Sequence, residues 1–446
     1  MASWTDTIEY LPTGEAVRPG QIMMAAEDVA SATEVNQGLV VVDPGEPGVG
    51  LALLDNAADS ETLEVVVGLR HEGISAQPNH VLFASCGSRT ALLEASPLHA
   101  SAKRMAKIYA TPVHASAGLG WAGCSCCPPH PATGVPGEWD LTSLVYPSPV
   151  HASPVHASGY ITTGNRDSTA VPAAEGPAAA ARPLGDFQPV VAIIDTGFAE
   201  EYKPPQLSTE ATENPPGDIP DTDGDGYLDP VAGHGTFIAG IIKRLVPGAL
   251  LRNIKLVGPC GDADEHALAT AIRALAASAE QPPDILNLSL AGYALEDMKD
   301  LALAIRSLQR VHGTVVVAAA GNDASCRPTY PAVLPGVVGV GAVNGEGRPA
   351  PFSNYGPWVR ASSLGVDVVS SFFEWDGARP RPGESGDRDD FSHAWATWSG
   401  TSFAAPHVAA LIAGRMIADG GPRPGQVEYV LRGGTAVPSL GMRVLP

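Results

Sequence analysis

The chain is short of positive charge. Its 446 residues carry 27 Lys+Arg against 48 Asp+Glu, a formal net charge of −21. Nucleic acids and anionic membranes are both recognised through a basic footprint, so this balance excludes non-specific binding to either. There is no apolar run of about 18 residues, and hence no candidate spanning helix. The opening residues, MASWTDTIEYLPTGEAVRPG, lack both a basic start and an apolar stretch. They predict a cytoplasmic protein, with non-classical export as the other route. Cysteine is scarce: Cys86, Cys124, Cys126, Cys127, Cys260 and Cys326 are too few and too uneven for a disulfide framework. Charged residues are only 17% of the chain, yet the apolar fraction of 44% is that of a globular protein rather than a disordered one.

What the chain has in excess is glycine and proline, 49 and 41 residues, and they are unevenly spread. Residues 1–19 read as a tail. Residues 20–84 read as a small α+β domain, with β-rich runs at Leu39–Val42 and Leu63–Leu69 and a turn signal at Asp43-Pro44-Gly45. Residues 85–186 are rich in Pro, Ala and His, and carry three near-copies of Pro-Val-His-Ala-Ser. Proline at that density blocks helices and ladders, so this zone reads as a linker. The triplet Cys124, Cys126, Cys127 with His130 lies in it and reads as reduced and flexible rather than as a metal site.

Residues 187–446 alternate apolar strand-like runs with helical periods. The runs are Pro189–Ile194, Ile254–Val257, Ile285–Leu290, Thr314–Ala319 and Val337–Val343. Ile238, Ile241, Ile242 and Leu245 form one helical stripe; Met298, Leu301, Ile305 and Leu308 form another, with Gly313 as its cap. This pattern predicts an α/β fold with a doubly wound, mostly parallel sheet covered by helices on both faces.

Four polar segments fall where those elements meet. Asp195 closes a strand in Ile194-Asp195-Thr196-Gly197, and His234 opens a helix in Gly233-His234-Gly235-Thr236. Asn322 follows a strand in Ala320-Gly321-Asn322, and Ser402 opens a helix in Gly400-Thr401-Ser402. Taken singly, each is an ordinary cap or turn residue. In this order and context they form a constellation, and residues 187–440 resemble the catalytic domain of subtilisin-like serine proteases, the subtilases. The matching segments are VVAIIDTG, GHGTFIAG, AAAGN and SGTSFAAPHVA. The chain order Asp, His, Ser is the one the subtilisins use among the known triads. Phe237 departs from the pattern, standing where many members carry a second His.

The resemblance implies a serine endopeptidase needing no cofactor, with polypeptide substrates. Asp195, His234 and Ser402 would be the triad, and Asn322 a donor to the oxyanion. Leu288, Ser289, Leu290 and Ala291 would pair with substrate and form one wall of the specificity pocket. Ala319, Ala320 and Gly321 would form the other wall, with Thr329 near the floor. The stretch Val67–Val81 resembles the end of a subtilase propeptide, which makes the N-terminal region an expected intramolecular inhibitor. Asp221, Asp223, Asp225 and Asp229 have the spacing of a calcium loop, although Ala232 stands where a bidentate Glu belongs. Two rivals remain on paper. An aspartic protease needs a second Asp-Thr-Gly, which the sequence lacks. A catalytically silent peptide binder has no need of an intact triad.

Overall fold

The computed structural model describes residues 8–11, 15–47, 49–56, 61–84, 187–199, 217–222, 229, 231–278, 282–294, 297–373 and 394–446. The linker expected at 85–186, with Cys86, Cys124, Cys126 and Cys127, lies outside them. The N-terminal unit opens with β1 (Glu9–Tyr10) and β2 (Ala16–Met24), so folded chain begins inside the stretch expected as a tail. It continues through α1 (Val29–Val35), β3 (Leu39–Asp43), β4 (Ala52–Asn56), α2 (Thr62–His71) and β5 (Gln77–Ala84). The strands run β5-β2-β4-β3, antiparallel throughout.

The β-rich run expected at Leu63–Leu69 is helical instead. Thr62, Val65, Val66 and Leu69 are buried, at the spacing i, i+3, i+4, i+7. A helix places all four on one face, whereas a strand would divide them between two. Val65, Val66 and Leu69 pack with Ile22, Met24 and Leu54, and this burial outweighs the β preference of consecutive valines.

The larger unit contains β6 (Val190–Asp195), α3 (His234–Leu245), β7 (Leu250–Lys255), β8 (Asp262–Asp264) and α4 (Glu265–Ala277). It continues through β9 (Ile285–Leu288), β10 (Leu290–Ala291), α5 (Lys299–His312), β11 (Val315–Ala319) and β12 (Val337–Val343). Then come β13 (Ala361–Leu364), β14 (Val368–Ser371), β15 (Trp395–Trp398), α6 (Thr401–Asp419), α7 (Gln426–Arg432), β16 (Thr435–Ala436) and β17 (Met442–Arg443). The strand expected at Ile254–Val257 begins earlier, at Leu250. Gly313 caps α5 in the left-handed region, φ 70°, as expected.

The main sheet runs β16-β17-β13-β12-β11-β9-β6-β7 and is parallel except where β16 meets β17. Along β6, Val191 and Ile193 face the layer of α3 and α6, while Ala192 and Ile194 face the layer of α4 and α5. From β6 the chain goes to β7 on one side and later to β9 on the other. Strand order therefore reverses beside β6, and the carboxyl ends of strands at such a switch point form a natural crevice.

The two units share backbone pairing. β5 lies antiparallel between β8 and β10, with Val81, Leu82 and Phe83 opposite Asp264, Ala263 and Asp262, and with Phe83 and Ala84 opposite Ala291 and Leu290. No helix among the described residues is long and apolar enough to cross a membrane.

Candidate active site

Asp195 is the last residue of β6, at the switch point. Its Oδ1 accepts the Thr196 N–H at 2.8 Å and lies 2.7 Å from His234 Nδ1, with both side chains fully buried. A carboxylate can only accept, so Nδ1 carries the proton and Nε2 keeps its lone pair. The imidazole stands edge-on to Trp398, with centroids 5.4 Å apart, and 5.3 Å from Phe403. Phe237 packs on the same two rings at 5.8 and 4.6 Å. The departure from the family pattern thus supplies part of an aromatic wall beside the base.

Two glycines allow His234 to reach Asp195. Gly233 caps α3 at φ 79°, and a Cβ there would fall 2.2 Å from the Phe372 ring. A Cβ on Gly235 would fall 2.4 Å from the carbonyl oxygen of Gly197. The start of α3 therefore rests directly on the loop that follows Asp195.

Ser402 is the second residue of α6, a helix interrupted by Pro406. Proline has no N–H, so the carbonyl four residues earlier, that of Ser402, is left without its helical donor. Ser289 Oγ donates to it instead at 2.7 Å, and accepts from Asn287 Nδ2 at 2.9 Å. The helix that bears the hydroxyl is in this way bonded to the cleft edge. Ser402 Oγ itself donates to the Ser289 carbonyl at 3.2 Å, and His234 Nε2 has no hydrogen-bond partner among the described residues. Acid and base are joined; hydroxyl and base are not.

Asn322 lies in the loop after β11, where its Oδ1 accepts from both the N–H and the Oγ1 of Thr401, each at 2.9 Å. A backbone N–H only donates, so the amide oxygen must face Thr401. The Nδ2 group is left for the cavity that Asn322 and Ser402 line together. Ala291, Ala319, Gly321 and Thr329 line that cavity too, with Thr329 Oγ1 held by the Ala320 carbonyl at 2.8 Å. Four of the expected wall residues are not among those that line it. Leu288 belongs to the core on the α4 and α5 side, and Ala320 packs against Tyr355, Val359 and Leu440. Their side chains are packed into those clusters and not into the crevice. Ser289 and Leu290 border the cleft through their backbone, the latter opposite Ala84.

Asp218, in the stretch between Asp195 and His234, is buried. Its Oδ2 accepts from Thr196 Oγ1 at 2.8 Å and from Gly233 N–H at 2.7 Å, while Thr196 Oγ1 accepts from Gly235 N–H at 3.0 Å. Burial pushes its carboxyl up to about 8, against the opposing pull of those bonds and of Lys255. Asp218 is thus a neutral acid near pH 7, bracing the Asp195 loop against the start of α3. Neither it nor Trp398 carries a sequence signal beyond its residue type.

In the expected calcium loop, Asp223 and Asp225 lie outside the described residues. The Oδ2 of Asp229 is taken by the N–H and Oγ1 of Thr222, at 3.0 and 2.7 Å. Among the described residues no group of three or more His, Cys, Asp or Glu is placed to hold a metal ion. Cys326 is disulfide-bonded whereas Cys260 carries a thiol, so these two are not joined to each other.

A buried carboxylate–imidazole pair, a helix-borne hydroxyl and an amide donor at the switch point of a doubly wound sheet define a nucleophile–base site. A model of the subtilase family matches residues 187–431, more than half of the chain, and the chain belongs to that family. It is 32% identical to the thermophilic serine proteinase of Bacillus sp. strain AK1 over 237 residues, which are 50% of this chain and 51% of that one. It is 30% identical to subtilisin DY of Bacillus licheniformis over 236 residues, 49% of this chain and 73% of that protein. Among solved structures, a protease of Pseudoalteromonas arctica matches with TM-score 0.47 and 24% identity, covering 58% of this chain and 89% of the other. The chain spans about half the length of the Bacillus sp. AK1 proteinase and of mycosin-4 from Mycobacterium tuberculosis, which it also matches.

Proposed function

We propose that the chain is a serine endopeptidase acting through an acyl-enzyme, and that its N-terminal unit holds it inactive. The buried Asp195–His234 bond of 2.7 Å carries this reading, because it orients Nε2 as the base for Ser402. A substrate strand paired with β10 in the register of β5 would bring its next backbone N–H to the Ser289 carbonyl, the group to which Ser402 now donates. The hydroxyl would then turn to His234 Nε2, so that substrate docking itself assembles the nucleophile. Ser402 Oγ attacks the carbonyl carbon and His234 takes its proton. The oxyanion receives the Asn322 Nδ2 donor and the Ser402 N–H in the first turn of α6. Collapse expels the amine with the proton from His234, and water repeats the sequence on the ester.

Inhibition by the N-terminal unit is supported by β5, which fills the strand position a substrate would need. A substrate strand in the same register would set the bond after the residue that follows its Ala84 counterpart before Ser402. The test is expression of wild type and Ser402→Ala, with fluorophosphonate labelling, peptide hydrolysis and mass spectrometry of the N-terminal fragment. Wild type should label on Ser402 and be cut at Ser85–Cys86, while the variant should do neither. Equal processing or hydrolysis by the variant would end the proposal.

A further inference from the structure

The side chains of β5 that face the larger unit form a row of three with two chemistries. His80, Leu82 and Ala84 alternate onto one face and are essentially fully buried. Leu82 and Ala84 enter an apolar cluster with Ala263, Leu268 and Leu290. His80 reaches past that cluster to Glu265, the first residue of α4, with Nδ1 2.9 Å from Oε2. Gln77 Nε2 lies 3.1–3.2 Å from both oxygens of the same carboxylate. Glu265 is wholly buried, and its side-chain partners are Gln77 and His80 of the N-terminal unit. Within its own unit, among the described residues, it accepts the Asp300 and Leu301 N–H groups at the start of α5. The adjacent β8 carboxylates behave alike: Asp262 and Asp264 meet Arg18 of the N-terminal unit at 2.7 and 3.6 Å. Removing that unit leaves three carboxylates along the outer half of the strand-binding groove, with the cation supplied by Arg18 and the imidazole of His80 gone.

We infer that Glu265 is a specificity-determining residue, which favours a basic side chain five positions before the residue whose carbonyl is attacked. This rests on the peptidase reading above, with β5 marking the path of a substrate strand. A substrate in that path sets its fifth upstream side chain where His80 lies, against a carboxylate anchored by the α5 amides and unable to turn away. His, Lys or Arg there restores the lost partner; Glu adds a fourth negative charge to a groove that holds three. With the N-terminal unit gone the pair is partly solvated, so the preference is modest and weakened by salt.

The test uses the processed enzyme and four internally quenched peptides, Gln-Pro-Asn-X-Val-Leu-Phe-Ala-Ser-Ser-Gly, with X as His, Arg, Ala or Glu. At low salt kcat/KM should fall from Arg to Ala by about fivefold and again from Ala to Glu, and 0.5 M salt should narrow the series. In Glu265→Gln the Arg-to-Glu ratio should shrink toward one. Equal cleavage of the Arg and Glu peptides by wild type overturns the inference, as does a ratio unchanged in the variant. Should Glu265→Gln fail to fold, because the α5 amides lose their anion, the wild-type series and its salt dependence still decide. If none of the four peptides is cut and Ser402 is not labelled, the peptidase reading falls and takes this inference with it. Cleavage without charge preference removes this inference alone.

Discussion

Asn322 performs two separable tasks, and two substitutions pull them apart. Its Oδ1 holds the Thr401 N–H and hydroxyl at the start of α6, and its Nδ2 is left for the cavity beside Ser402. Asn322→Asp keeps an oxygen toward Thr401 but replaces the cavity-facing donor with an acceptor. Loss of one oxyanion donor costs about 2.7–4 kcal/mol of transition-state stabilisation, a fall in kcat of about 10²–10³, and a carboxylate facing the oxyanion should reach at least that range. KM should hardly move, because the charge exists only in the transition state. Asn322→Ala loses the donor and both bonds to Thr401. At about 0.5–1.5 kcal/mol per bond, and about 2–4 °C per kcal/mol for a domain of this size, it should also melt several degrees lower. Steady-state hydrolysis of a peptide amide and thermal melts in a Ser402→Ala background, which prevents self-digestion, read the two tasks independently. An Asn322→Asp enzyme within about threefold of wild-type kcat, or impaired only in KM, would refute the oxyanion assignment.

Asp218 and Gly235 extend the same reasoning to the support of the triad. Burial raises the Asp218 carboxyl to about 8, so between about pH 4 and pH 8 the unfolded chain has released a proton that the folded one retains. This group's contribution to stability therefore falls as pH rises through that window. Asp218→Asn can accept both existing bonds through one oxygen and does not titrate. Its melting temperature should gain on that of the parent between pH 5 and pH 8 in a Ser402→Ala background, and a constant difference would sink the assignment. Gly235→Ala sets a methyl 2.4 Å from the Gly197 carbonyl, forcing the start of α3 from the Asp195 loop. A displacement near 1 Å costs about 10²-fold in rate; a variant whose kcat/KM stays within twofold of wild type would contradict this packing.

Much of the larger unit was legible because its signals are local and periodic. The run Val190–Ile194 is apolar without alternation, as a strand buried on both faces must be. Met298, Leu301, Ile305 and Leu308 repeat at helical spacing and stop at a glycine. Four polar residues interrupting those elements mark the site in the sequence itself. Residues 62–71 misled for the same local reason: consecutive valines favour a strand, and only the packing of Val65, Val66 and Leu69 on β2 and β4 makes the helix worth more. The resemblance places Leu288 and Ala320 on the pocket walls, but their side chains pack into apolar clusters instead.

By itself the sequence determined the family, the alternation of the main strands and helices between Val190 and Val343, and which side chains could act as acid, base, nucleophile and amide donor, since each depends on residue type and short-range spacing. The tertiary structure decided what depends on contacts between residues far apart in the chain. It set which nitrogen of His234 is held by Asp195, which way the Asn322 amide faces, and that Ser289 answers the carbonyl left open by Pro406. It buried Asp218 and so made a surface-looking acid into a neutral brace. It also laid β5 between β8 and β10, because the unpaired backbone of two cleft edges is satisfied by a third strand wherever in the chain that strand begins.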